Sequence, residues 1–150
     1  MAEEGNAGSD EDRLRRLIEE RIEAIRAKDI PAVLAVYAPD VRVYDLIDPL
    51  RQRAGREAVG TRLEAWLSQF QDGPIGYEMR DLELAVDGDV AFCHGLSHVS
   101  ATTTGGQLID MWWRATTCFR RLDGRWMVTH EHSSVPFDME SGRASLGLKP

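Results

Sequence analysis

Between Gln107 and Phe137 the chain reads QLIDMWWRATTCFRRLDGRWMVTHEHSSVPF, two runs rich in β-branched and aromatic residues on either side of Asp123-Gly124. That dipeptide tolerates positive φ and closes hairpins. Val90–Ala101 also reads as strand and joins this stretch through Thr104-Gly105-Gly106-Gln107. A two-residue Gly-Gly loop predicts Phe92 opposite Phe119, His94 opposite Thr117, Leu96 opposite Ala115 and His98 opposite Trp113, all on one face. A slip of one residue would exchange the faces, so this register controls every later assignment.

The rest of the chain supplies what such a sheet needs to cover one side. Residues 1–9 read as a disordered acidic tail. From a capping-box-like Ser9/Asp12, Leu14, Leu17, Ile18, Ile22 and Ile25 recur at helical spacing. Asp29 caps a short second helix with Pro31 in its first turn and Ile30, Val33, Leu34 and Tyr37 on one side. Val41–Asp48 alternates as a strand, with Val41, Val43, Asp45 and Ile47 on one face. A third helix, Arg56–Phe70, buries Val59, Leu63, Trp66, Leu67 and Phe70. Asp72-Gly73-Pro74 ends it, and Ile75–Val86 is a strand whose apolar phase shifts near Arg80-Asp81, as a bulge would produce. Three helices, one of them after a first strand, followed by an antiparallel meander, predict an α+β fold: a curved sheet with the helices on its concave side. Such a cone has an apolar mouth suited to a small ligand.

Composition narrows the partners. A net charge of −7 over 150 residues argues against nucleic-acid binding. No apolar run is long enough for a membrane span, and the acidic N-terminus lacks the layout of a signal peptide, so a cytoplasmic protein is expected. Cys93 and Cys118 have no metal-type spacing; cross-strand neighbours or two reduced thiols are the readings, the second favoured.

Two stretches carry a resemblance. AKDIPAVLAVYAPDVRVYD looks like the opening of the nuclear transport factor 2-like superfamily, in particular its SnoaL-like and ketosteroid isomerase-like members. CFRRLDGRWMVTHEHSSVPF resembles the closing hairpin of SnoaL-like proteins and of the calcium/calmodulin-dependent kinase II association domain. The resemblance implies the cone-shaped fold over residues 10–137, with 138–150 as a C-terminal extension. It also implies a general base at Asp45, on the first strand. At the two positions that hold the oxyanion in ketosteroid isomerases stand Ile22 and Thr117.

Asp45, Glu131 and His94 are therefore the candidate catalytic residues, and burial of Asp45 would raise its pKa as a base requires. Thr117, Trp113, Phe92, His98, Phe119, Ser133 and Trp66 are the candidate ligand-binding residues. The side taken by His130, Glu131 and His132 depends on the Asp123-Gly124 turn. A two-residue loop turns all four histidines inward. A Leu122-Asp123-Gly124 turn with a glycine bulge turns Glu131 and Ser133 inward and leaves His130 and His132 outside with Arg114 and Thr116; the resemblance favours this form. No metal and no cofactor are expected. The function expected is small-molecule binding in the cavity, extending to isomerase or cyclase chemistry on an apolar carbonyl compound. The alternative is a non-catalytic ligand-binding or oligomerisation module. The aromatic yet polar Trp112, Arg114, Thr116, His130 and His132 face predicts a homodimer.

Overall fold

Asp123 and Gly124 both take positive φ, 51° and 79°, in the two-residue form of the turn joining β4 (Leu108–Leu122) to β5 (Arg125–Ser134). This computed structural model describes residues 4–150; residues 1–3 of the expected tail lie outside the described residues. The elements run α1 (Glu4–Arg26), α2 (Ile30–Leu34), β1 (Tyr37–Tyr44), α3 (Arg56–Leu67), β2 (Gly76–Asp87), β3 (Val90–Thr102), β4 and β5. The strands form one sheet in the order β1-β5-β4-β3-β2. β2 to β5 are an antiparallel meander, and β1 adds to the β5 edge in parallel, Val43 beside Glu131. A parallel neighbour needs a long crossover, and α3 with the meander that follows it supplies one.

The first helix starts upstream of the Ser9/Asp12 cap, at Glu4. Its inward stripe is Leu14, Ile18, Ala24 and Ile25. Near its start, Asp10 is buried and accepts from Arg121 Nη1 (2.8 Å) and Trp126 Nε1 (3.3 Å). The Arg121 guanidinium lies 5.0 Å over the Trp126 ring and also donates to Asp89. This network fastens the helix to the β4–β5 hairpin. At the other end Arg26 Nε donates to the Tyr77 carbonyl (2.7 Å), and Ile75 N donates to the Arg26 carbonyl, tying α1 to β2.

The core fills the space between helices and sheet, with Leu14, Val33, Val41, Phe119 and Val128 among its fully buried side chains. The β2 bulge falls where the apolar phase shifts: the register breaks between Arg80 and Glu83, and Asp81 has φ 56°. Opposite it stands Gly95, where a Cβ would meet the Arg80 carbonyl at 2.9 Å. No side chain fits against that bulge, which is why the β3 strand carries a glycine there.

The β3–β4 hairpin corrects the expected register by one residue. Thr103 N donates to the Gln107 carbonyl and Gly106 N to the Thr103 carbonyl, so the loop is Thr104-Gly105-Gly106. Gly106 takes φ +88°, the left-handed residue that closes a three-residue loop. β3 is therefore paired as Cys93↔Thr117, Ser97↔Trp113 and Val99↔Met111. The period of two does the rest: β4 keeps its expected faces and those of β3 are exchanged. Cys93 and Cys118 consequently point to opposite faces and are both free thiols.

The last hairpin combines features of both expected forms. The turn is the two-residue one, but an extra residue, Thr129, lies between the Phe119↔Val128 and Cys118↔His130 pairs. That bulge restores the face that the turn alone would have reversed. Thr117 thus pairs with Glu131 and Ala115 with Ser133, both turned inward, while His130 and His132 lie outside.

A candidate ligand cavity with a buried ion pair at its floor

The concave side of the sheet, α1 and α3 enclose a cavity of about 610 Å³. Its walls are apolar: Trp66 and Leu63 from α3, Tyr77 and Met79 from β2, Val99 from β3, and Met111 and Trp113 from β4. The Trp113 ring meets Trp66 edge-on at 6.4 Å between centroids and lies tilted, at 49°, 6.0 Å from Tyr77. The edge-to-face contact with Trp66 fixes the aromatic wall in place beyond what area burial alone provides. A broader groove of about 860 Å³, open to solvent, lies beside the mouth between the 44–51 loop and His132–Val135.

Three polar side chains meet at the floor. Arg21 comes from α1, Tyr37 from the start of β1 and Glu131 from β5. Arg21 Nη2 lies 2.5 Å from Glu131 Oε1, Tyr37 donates its hydroxyl to the same oxygen (2.7 Å), and Arg21 Nε donates to the Tyr37 oxygen (3.0 Å). The Arg21 and Glu131 side chains each retain 14% exposure, and both line the cavity. Burial alone would weaken the Arg21 charge, but the Coulombic pull of Glu131, helped by Tyr37 and Tyr77, outweighs it and holds the guanidinium above its ordinary pKa. Burial, reinforced by the Glu131 charge, pushes the Tyr37 phenol well above its usual value, so it stays a donor. Tyr77, hydrogen-bonded to Ser97, is likewise raised, chiefly by burial. Desolvation also raises the Cys93 thiol, which removes it as a ready nucleophile.

Several expected site residues meet in this cavity: Thr117, Trp113, Ser133 and Trp66 line it together with Glu131. Others do not. Phe92, His94 and His98 belong to the outer face of β3, because the three-residue loop displaced the register. His98 there stacks on Trp112 (4.2 Å, 5°) between Glu78 and Asp110, and its hydrogen bond holds the Asp110 carboxyl below the usual range. Phe119 is packed in the core and does not line the cavity. Asp45 falls just past the end of β1, where the chain turns and its Oδ1 accepts from Leu46 N (2.7 Å). It is an exposed residue of the cavity mouth, since the alternation of Val41 and Val43 stops at Tyr44.

Arg21 and Tyr37 are not among the residues expected from sequence, and of the two Arg21 had a signal. Leu14, Ile18, Arg21 and Ile25 are spaced i, i+4, i+7 and i+11, which puts the arginine within the buried stripe. Tyr37 gave none, because the strand register breaks between it and Arg42 and Pro39, of the same parity, is exposed. The C-terminal segment also contributes: Val135, Ala144 and Leu146 line the mouth, where the chain folds back through the Phe137–Ala144 bridge. Asp138 holds that turn by accepting from Glu140 N and Ser141 N, bonds that keep its carboxyl below the usual range. Among the described residues, no group of three His, Cys, Asp or Glu could hold a metal ion, and no helix is long and apolar enough to cross a membrane.

The same architecture occurs in solved structures. An NTF2-like protein of unknown function from Pseudomonas putida is 35% identical over 95% of this chain and 98% of its own, with a TM-score of 0.83. An NTF2-like protein with a cystatin-like fold from Novosphingobium aromaticivorans shares 16% identity over 89% of this chain and 86% of its own, with a TM-score of 0.69. The association domain of the C. elegans calcium/calmodulin-dependent kinase II shares 14% identity over 87% and 98% of the two chains, with a TM-score of 0.67, a likeness of fold alone. No curated protein matches the chain. Residues 14–138 match the family model described as a SnoaL-like domain, and with that match and the Pseudomonas relative the chain belongs to the SnoaL-like proteins of the NTF2-like superfamily.

Proposed function

We propose that the protein binds a small, largely apolar molecule whose polar end rests on Arg21, Tyr37 and Glu131. The observation that carries this reading is the position of these three side chains, which contact one another at the floor of an apolar, aromatic-walled cavity. A general base needs a free carboxylate beside the reacting carbon. Glu131 is engaged by an arginine and a tyrosine, and Asp45 lies exposed at the mouth. That arrangement favours binding over isomerase or cyclase chemistry.

The test is a calorimetric screen of apolar carbonyl and hydroxyl compounds against the wild type and Asp45→Asn. Saturable binding to both, with affinities within about twofold as for an ordinary surface change, is expected. Turnover that falls about 10²–10⁴-fold in Asp45→Asn would instead make Asp45 a base and overturn the binding reading.

The outer sheet face supports a homodimer and, with it, the association-module alternative. Tyr44 contacts His130 and His132 edge-on there, and Phe92 and His94 are exposed. Sedimentation at micromolar concentration should give about twice the 16.8 kDa chain mass; a single species at the chain mass rejects the dimer. The two free thiols suit a reducing compartment, and we place the protein in the cytoplasm.

A further inference from the structure

Resting on that reading of the cavity, we infer that the site selects ligands by charge, and that its ligand is electrically neutral with a hydrogen-bond donor and an acceptor side by side, as in an amide or a lactam. Four charged side chains line the cavity, Arg21 and Arg62 against Asp45 and Glu131, so the lining sums to zero. At the floor the two opposite charges are in direct contact. Both contacts to Glu131 fall on Oε1, and Arg21 uses Nε and Nη2. Among the described residues no hydrogen bond or ion pair engages Oε2 of Glu131 or Nη1 of Arg21, which leaves one acceptor and one donor to meet a ligand.

A neutral group offering an N–H or O–H to Oε2 and a carbonyl oxygen to Nη1 completes both without adding net charge. A carboxylate would set a second negative charge against Glu131, and an ammonium a second positive charge against Arg21. In an apolar cavity neither repulsion is screened as it is in water. Arg21 and Glu131 are therefore specificity-determining residues, and their mutual neutralisation is the device.

Three ligands with one aromatic body serve as probes: naphthamide, naphthoate and naphthylmethylammonium, titrated calorimetrically at neutral pH. The amide should bind at least about tenfold more tightly than either ion, since like-charge contacts at an interface cost that much or more. Equal or tighter binding of an ion overturns the inference and leaves the binding reading intact. No saturable binding by any of the three overturns both.

Dehydration of the ions alone could also favour the amide, and Glu131→Gln separates the two causes. With Arg21 released from its partner, naphthoate should gain about tenfold, whereas a pure dehydration preference leaves naphthoate unimproved and overturns the inference. If Glu131→Gln does not fold by circular dichroism, the double variant Arg21→Met/Glu131→Leu, which removes both the donor and the acceptor, decides. The amide should lose about tenfold in it, and unchanged amide binding overturns the assignment of these two residues.

Discussion

Arg21→Met should lower the free energy of unfolding by about 3 kcal/mol, measured as the shift in the urea midpoint. Removing one member of a buried ion pair leaves the other charge without compensation, at about 3–5 kcal/mol. The lower end applies because each side chain keeps 14% exposure to the cavity. In a domain of this size the loss corresponds to a melting temperature lower by roughly 6–12 °C. The double variant Arg21→Met/Glu131→Leu should recover most of it, because an apolar pair of similar volume needs no charge balance. A single-variant loss under about 1 kcal/mol would reduce the contact to an ordinary surface pair. This pair would then not organise the cavity floor.

Phe119→Ala should cost about 3–5 kcal/mol, the range for emptying a large aromatic site in a well-packed core. Phe119 is the largest of the fully buried side chains and pairs with Ala91 on β3 and Val128 on β5. It also adjoins the pair where the Thr129 bulge resets the strand. Loosening at that point should be felt at Thr117 and Glu131, so the variant's ligand affinity should fall along with its stability. Thermal melts and the same calorimetric titration measure the two effects. An affinity unchanged in a folded Phe119→Ala protein would show that the bulge holds its register without the ring.

Arg21 lies within an otherwise apolar helical stripe, Leu14-Ile18-Arg21-Ile25, and is tolerated there because Glu131 meets it from the sheet. The Thr129 bulge, beside Phe119, turns Glu131 inward. Charge complementarity at the floor therefore depends on a backbone irregularity two residues away along β5.

Short-range patterns were enough to read the three helices, the alternation of Val41 and Val43, the β2 bulge near Arg80-Asp81 and the Asp123-Gly124 turn from the chain alone. Each is a local preference: a helical repeat, a pleat of period two, a dipeptide that accepts positive φ. The inward faces of β4 were legible for the same reason, including Trp113, Thr117 and Phe119. What tertiary structure decided was parity. Thr104-Gly105-Gly106-Gln107 can close as a loop of two residues or of three, and both choices satisfy its glycines. The chosen three-residue loop placed His94 and His98 outside and Cys93 and Ser97 inside. Thr129 carries no composition signal for a bulge, yet that extra residue turned Glu131 toward the cavity. The meeting of Arg21 with Glu131 joins residues 110 positions apart, and no local preference encodes it; only the packing of α1 across the sheet brings the two charges together.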